Sequence, residues 1–300
     1  MIRTLTDNKA TAFIFSFALL IGYQVILDTV SLASILKTVL LFAEGLLLNY
    51  LCSKYKIIGQ KNNLVLIVFC LLSVVVIPDL SFNDLVYGLV WLAGFLFAFE
   101  SSENPSQTDN YLIYFGILLG FSQTVNPISV LLFIPVYLLF IQTGTRNIRS
   151  LILGLLYFSM VIFAYVCVLY VIELEGEILS LIPKLTFEYS AFDNILIKLL
   201  FPFVIVSIII HLLSLNTYKF RFPNKSKILN FTLLIQLSIA VVLIVLTSQS
   251  DLLIYALMAS AILLSFGFTY KSESIFVNAA FASLLCIALA SLYLHKILIL

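Results

Sequence analysis

Between Arg149 and Glu173 the chain carries no charged side chain. A helix needs about 20 apolar residues to cross the roughly 30 Å hydrocarbon core of a bilayer. No water in that core satisfies backbone N–H and C=O groups, so such a segment folds as a helix, which pairs them internally. The pattern recurs from end to end. Apolar segments run over 10–28, 33–52, 63–78, 84–99, 111–125, 127–142, 150–172, 194–215, 229–248, 251–269 and 275–294. Of 300 residues, 62% are hydrophobic and 10% charged, where a soluble domain has about a quarter charged. These values exclude a water-soluble enzyme, a disordered tail and a nucleic-acid-binding protein. The expected fold is all-α: a polytopic transmembrane helical bundle of about eleven spans, forming one membrane domain over residues 1–300.

Orientation follows from Lys and Arg, which accumulate on the cytoplasmic side. With the N-terminus inside and the C-terminus outside, the inner set is Arg3, Lys9, Lys54, Lys56, Lys61, Arg146, Arg149, Lys219, Arg221, Lys225, Lys227 and Lys271. Outside lie only Lys184 and Lys296. The bias requires 111–125 to cross, although that segment reaches only about 22 Å at 1.5 Å per residue. The first run has a signal-like start and a passable cleavage site at Ser31-Leu32-Ala33, and is expected to be a retained span. Residues 173–193 read as a surface amphipathic helix broken at Pro183. The alternation Tyr218-Lys219-Phe220-Arg221-Phe222 reads as an anchor for lipid head groups at the inner face.

Ionisable residues inside a membrane are the first candidates for function. Lys37 and Glu44 lie seven apart on one helix face. Lys37 is near the outer end, where it can snorkel. Glu44 lies deeper with no charge at i±3 or i±4, so its partner has to come from another helix or from water. It reads either as a carboxyl hydrogen-bonded within the bundle or as a proton, cation or subunit contact. Lys198, early in the eighth segment, reads as snorkelling. The turn Gln123-Thr124-Val125-Asn126-Pro127 reads as a tight hairpin, or as a tip that meets a polar lipid head through Gln123 and Asn126. Gly116 with Gly120, and Gly94 with Ala98, form small-xxx-small pairs that let helices approach closely, either internally or against a partner. The last segment carries many more small residues.

The outer acids Asp28, Asp79, Asp84, Glu173, Glu175, Glu177, Glu188, Asp193 and Asp251 read as a solvated rim. Cys52, Cys70, Cys167 and Cys286 stand singly in or beside apolar runs and read as buried thiols. With only His211 and His295, no metal site is expected, and no cofactor. The expected partners are membrane lipids and a second membrane protein, with no nucleic acid.

The passage from Tyr111 to Met160 combines "YFGILLGFSQ", an Asn-Pro turn, "VLLFIPVYLLF" and a basic "RNIR" loop. It resembles the middle of polytopic glycosyltransferases that use lipid-phosphate sugar donors, the GT-C superfamily. That resemblance implies a catalytic acid in the first outer loop, where Asp28 matches by position. The whole chain resembles a family of Bacteroidota inner-membrane proteins with no assigned activity. It does so through its Met1-Ile2 start with early basic residues, "VIPD", "ESSENPSQTDN" and "NPISVLLFIPVYLLF" to "RNIR". This second resemblance implies a multi-pass protein of the bacterial cytoplasmic membrane. The residues lead to a non-catalytic membrane subunit or scaffold of a cell-envelope complex. The alternatives are a GT-C-like glycosyltransferase using a polyprenyl-linked sugar through Asp28, and a lipid flippase or transporter centred on Glu44.

Overall fold

The computed structural model describes residues 8–26, 31–58, 63–77, 80–127, 130–143, 148–181, 224–247, 253–270 and 275–299, and residues 202, 204, 205, 208, 209 and 212. Among them every regular element is helical. The helices are α1 (Lys9–Ile26), α2 (Leu32–Lys54), α3 (Leu64–Val76), α4 (Phe82–Glu103), α5 (Thr108–Val125), α6 (Val130–Thr143), α7 (Ile148–Val171), α8 (Asn224–Thr247), α9 (Leu253–Tyr270) and α10 (Ile275–Ile299). Most of the segment 194–215 lies outside the described residues, as do Asp28, Pro183, Lys198, Lys219 and Arg221.

Local chemistry sets the helix starts. Ser31 accepts from the Ser34 N–H while the Ser34 hydroxyl accepts from the Ser31 N–H, a capping box that opens α2. Ser81 and Asp84 close the same reciprocal pair at α4. Each box satisfies two backbone donors that the first turn leaves orphaned. The polar stretch Glu100–Glu103 stays helical, so α4 runs past the apolar segment that marked it. Residues 175–181, part of the expected amphipathic surface helix, form a 3-10 helix. A positive φ of 59° at Glu173 turns the chain just before it.

Two helices form the centre. α3 has 13 residues, all buried, and packs against α1, α2, α9 and α10. At about 20 Å it is shorter than the roughly 30 Å of a bilayer core, and protein covers its whole circumference. α9 is buried from Leu253 to Phe268 and packs against α3, α4, α8 and α10. An apolar helix with no polar face is stable where protein or lipid covers its whole circumference. α4 joins this centre to a second group, α5, α6 and α7. Phe115 of α5 packs at tilted angles against Phe133, Tyr137 and Phe140 of α6, with ring centroids 5.2–5.7 Å apart.

The small-residue pairs lie inside the protein. A side-chain carbon at Gly116 would sit 2.2 Å from the Gly154 carbonyl oxygen of α7. At Gly120 it would meet Val161, and at Gly94 it would meet Phe115. Ala98 is fully buried. These positions hold α4, α5 and α7 together and are covered by the chain's own helices.

Four helical segments are long and apolar enough to cross a membrane: Leu32–Lys54, Phe82–Glu103, Ile148–Val171 and Lys227–Ile244. Within the described residues, α1, α3, α6, α9 and α10 carry shorter apolar stretches.

Candidate functional site

The best-defined polar site is the carboxyl of Glu44. Its helix presents Leu41, Gly45 and Leu48 to the core, and Glu44 lies among them with no exposed surface. Facing it is Gly88 on α4, where a side-chain carbon would stand 2.8 Å from Glu44 Oε1 and 2.8 Å from the Met258 methyl of α9. The absence of a side chain at 88 makes room for the carboxyl. Neither Glu44 oxygen has a hydrogen-bond partner among the described residues. Of the two readings from sequence, a carboxyl hydrogen-bonded within the bundle finds no such bond among the described residues. The partner from another helix is present, but it is an acid. Asp84, also fully buried, lies close enough to act on Glu44 electrostatically.

Asp84 corrects a second expectation. It was placed in a solvated outer rim, yet it has no exposed surface. Its Oδ2 accepts from the Ser81 N–H in the capping box, and that cap folds the carboxylate back onto the helix. The signal available in the sequence was the Ser81-x-x-Asp84 cap, with Gly88 one turn further on the same face.

Lys37 does not pair with Glu44, although the two share a helix. Its ammonium donates to the Ile77 carbonyl at 2.9 Å, at the C-terminal end of α3. A cation there satisfies an orphaned carbonyl and is favoured by the helix dipole by about 0.3–1 kcal/mol. Lys37 thereby caps a neighbouring helix.

At the other end of α2, Lys54 is ion-paired to Glu100 of α4. The Tyr55 hydroxyl donates to the same carboxylate oxygen at 2.8 Å. Burial, reinforced by that bond, pushes the Tyr55 phenol above its ordinary range. The Asp109 carboxylate accepts from the Ser150 hydroxyl, tying the start of α5 to the start of α7.

The Gln123–Pro127 turn ends α5, with the Asn126 N–H donating to the Ser122 carbonyl at 3.0 Å. Gln123 Nε2 donates to the Leu181 carbonyl at 2.8 Å, fastening the 3-10 helix onto α5. An open cleft of about 440 Å³ beside it is lined by Phe158, Ser159, Ile162, Phe163 and Val166 as well as Gln123.

Two thiols behave as expected and two do not. Cys52 and Cys70 are buried, whereas Cys167 and Cys286 are exposed. They lie on outward faces of α7 and α10, which sequence neighbours alone could not distinguish from inward ones. Among the described residues no group of three His, Cys, Asp or Glu is placed to hold a metal ion. The chain matches no protein-family model, no curated protein and no solved structure.

Proposed function

We propose that this chain is a multi-pass protein of the bacterial cytoplasmic membrane, with about eleven spans and the N-terminus inside. On this reading it serves as a non-catalytic membrane subunit or scaffold of a cell-envelope complex. The observation that carries the subunit role is the outer face of α10. Ala279, Ser283, Cys286 and Ala290 are all exposed, and their i, i+4, i+7, i+11 spacing puts them in one stripe. Small residues in such a stripe let a second helix approach closely, which drives association inside a bilayer. The small pairs of α4 and α5 are already used internally, so α10 is where a partner helix fits.

The membrane reading is supported by α7. Ile152, Leu155, Leu156, Met160, Phe163 and Val168 are between 48% and 69% exposed, a surface that water does not tolerate over a whole helix. The alternating topology is supported by the cross-helix bonds. Lys54 with Glu100, Asn49 with Asn63, and Ser150 with Asp109 join ends assigned to the inside. Gln24 with Thr38, Lys37 with Ile77, and Gln123 with Leu181 join ends assigned to the outside.

Ser283→Leu tests the subunit role. Affinity purification of the native chain in mild detergent is expected to retain a stoichiometric membrane protein, which the leucine variant loses while remaining monodisperse. A native chain that is alone and fully active contradicts the proposal. The flippase or transporter reading draws on one observation, the unpartnered carboxyl of Glu44. On that reading, Glu44→Gln abolishes flux in reconstituted vesicles. The glycosyltransferase reading turns on Asp28, and unchanged function of Asp28→Asn counts against it.

A further inference from the structure

We propose that Glu44 is a proton-binding site, whose carboxyl holds one proton while α2 is packed on α4 and releases it to water only when that contact opens. The proposal rests on the membrane reading and is independent of whether the chain is a subunit or a carrier.

Three observations carry it. First, an ionised carboxylate buried without a counter-charge or donor is strongly disfavoured, and Glu44 has neither among the described residues. The two cations of its own helix are committed elsewhere, Lys37 to the Ile77 carbonyl and Lys54 to Glu100. The nearest acidic residue on the facing helix is Asp84, also fully buried, and an acid supplies no counter-charge. Second, Gly88 and Met258 close around the carboxyl. A hard metal cation needs about six or more oxygen ligands, and a proton needs no added space. Third, Trp91 Nε1 is fully buried with no hydrogen-bond partner. Asp84, Gly88 and Trp91 are spaced i, i+4, i+7 and share one face of α4. Opening of the α2–α4 contact would give both the ionised carboxylate and the indole access to hydrogen-bond partners, so the ionised form would favour the open arrangement.

Other titratable groups bear on this exchange. On the buried faces of the elements around α2 they are Tyr23 on α1, Cys70 on α3, Asp84 and Tyr87 on α4, and Tyr255 on α9. None is a cation. The step itself is simple ionisation: the O–H bond of the carboxylic acid breaks, the electron pair stays on the carboxylate, and water accepts the proton.

The test uses the full chain in detergent and in phosphatidylcholine–phosphatidylglycerol vesicles, after flotation has established insertion. Dicyclohexylcarbodiimide adds to protonated carboxyls in apolar surroundings and leaves an N-acylurea that peptide mass spectrometry locates. An adduct at Glu44 is expected at neutral pH, slowing about tenfold per pH unit once the acid ionises. Sodium and lithium should give no protection. Glu44→Gln should lose the adduct and Asp84→Asn should keep it. In alkaline buffer, amide hydrogen exchange in α2 and α4 should be faster in the native chain than in Glu44→Gln at the same pH. Absence of the adduct, pH-independent labelling, protection by sodium, or equal exchange in the two proteins would each overturn the proposal. Failure of the chain to float with vesicles would overturn the membrane reading, a result separable from any labelling outcome in detergent.

Discussion

At Gly116 a methyl group has no room. The atom it would strike is a backbone oxygen of α7, 2.2 Å away, which cannot turn aside as a side chain can. Gly116→Ala therefore has to push α5 and α7 apart along their whole contact. The expected cost is about 1–3 kcal/mol, read as a lowered thermal unfolding midpoint in detergent, while Gly22→Ala, with open space around its Cβ position, should differ little from the native chain. The sequence displayed the Gly116/Gly120 face clearly, because small residues at helical spacing are visible in one dimension. It could not display which surface that face meets, since Gly154 lies on a different helix. Asp84 shows the converse. Its capping spacing was legible, but its burial depends on α2 and α9 arriving from elsewhere in the chain.

At the scale of the element, α7 and α9 are the instructive pair. Both are apolar around their full circumference, and nothing in their composition separates them. Yet α9 is enclosed by four helices, and α7 keeps only Ser150, Gly154 and Leu169 buried. An all-round apolar helix is content against protein or against lipid, so the choice between centre and periphery is made by the neighbours. The described helices, and the four segments long and apolar enough to cross a membrane, were readable from sequence, whereas their placement was not. The contrast predicts different responses to charge. Met160 lies mid-helix on α7 and is 56% exposed. If lipid covers it, Met160→Lys costs about 2.5–3.5 kcal/mol for insertion. A membrane-insertion assay on this variant should show markedly reduced integration. Full integration would mean that water or a polar partner covers α7 instead.

For the whole molecule, the parity of α5 decides the orientation of everything after it. The apolar segment is short at 111–125; α5 begins three residues earlier with the polar Thr108, Asp109 and Asn110, reaches about 27 Å at 1.5 Å per residue, and is not among the four described segments long and apolar enough to cross a membrane. Its start is tied to the start of α7 by Ser150 and Asp109, and its end to the 3-10 helix by Gln123. Both bonds fit a helix that crosses together with its neighbours. If α5 did not cross, the end of α4 and the turn after α7 would face the same compartment. One measurement separates the cases directly: labelling of single cysteines with a membrane-impermeant maleimide, before and after permeabilisation, in a chain whose four native cysteines are replaced by serine. Glu177→Cys is predicted to label in intact cells and Glu103→Cys only after permeabilisation. Labelling of both from the same side would contradict the alternating multi-pass topology on which the account depends.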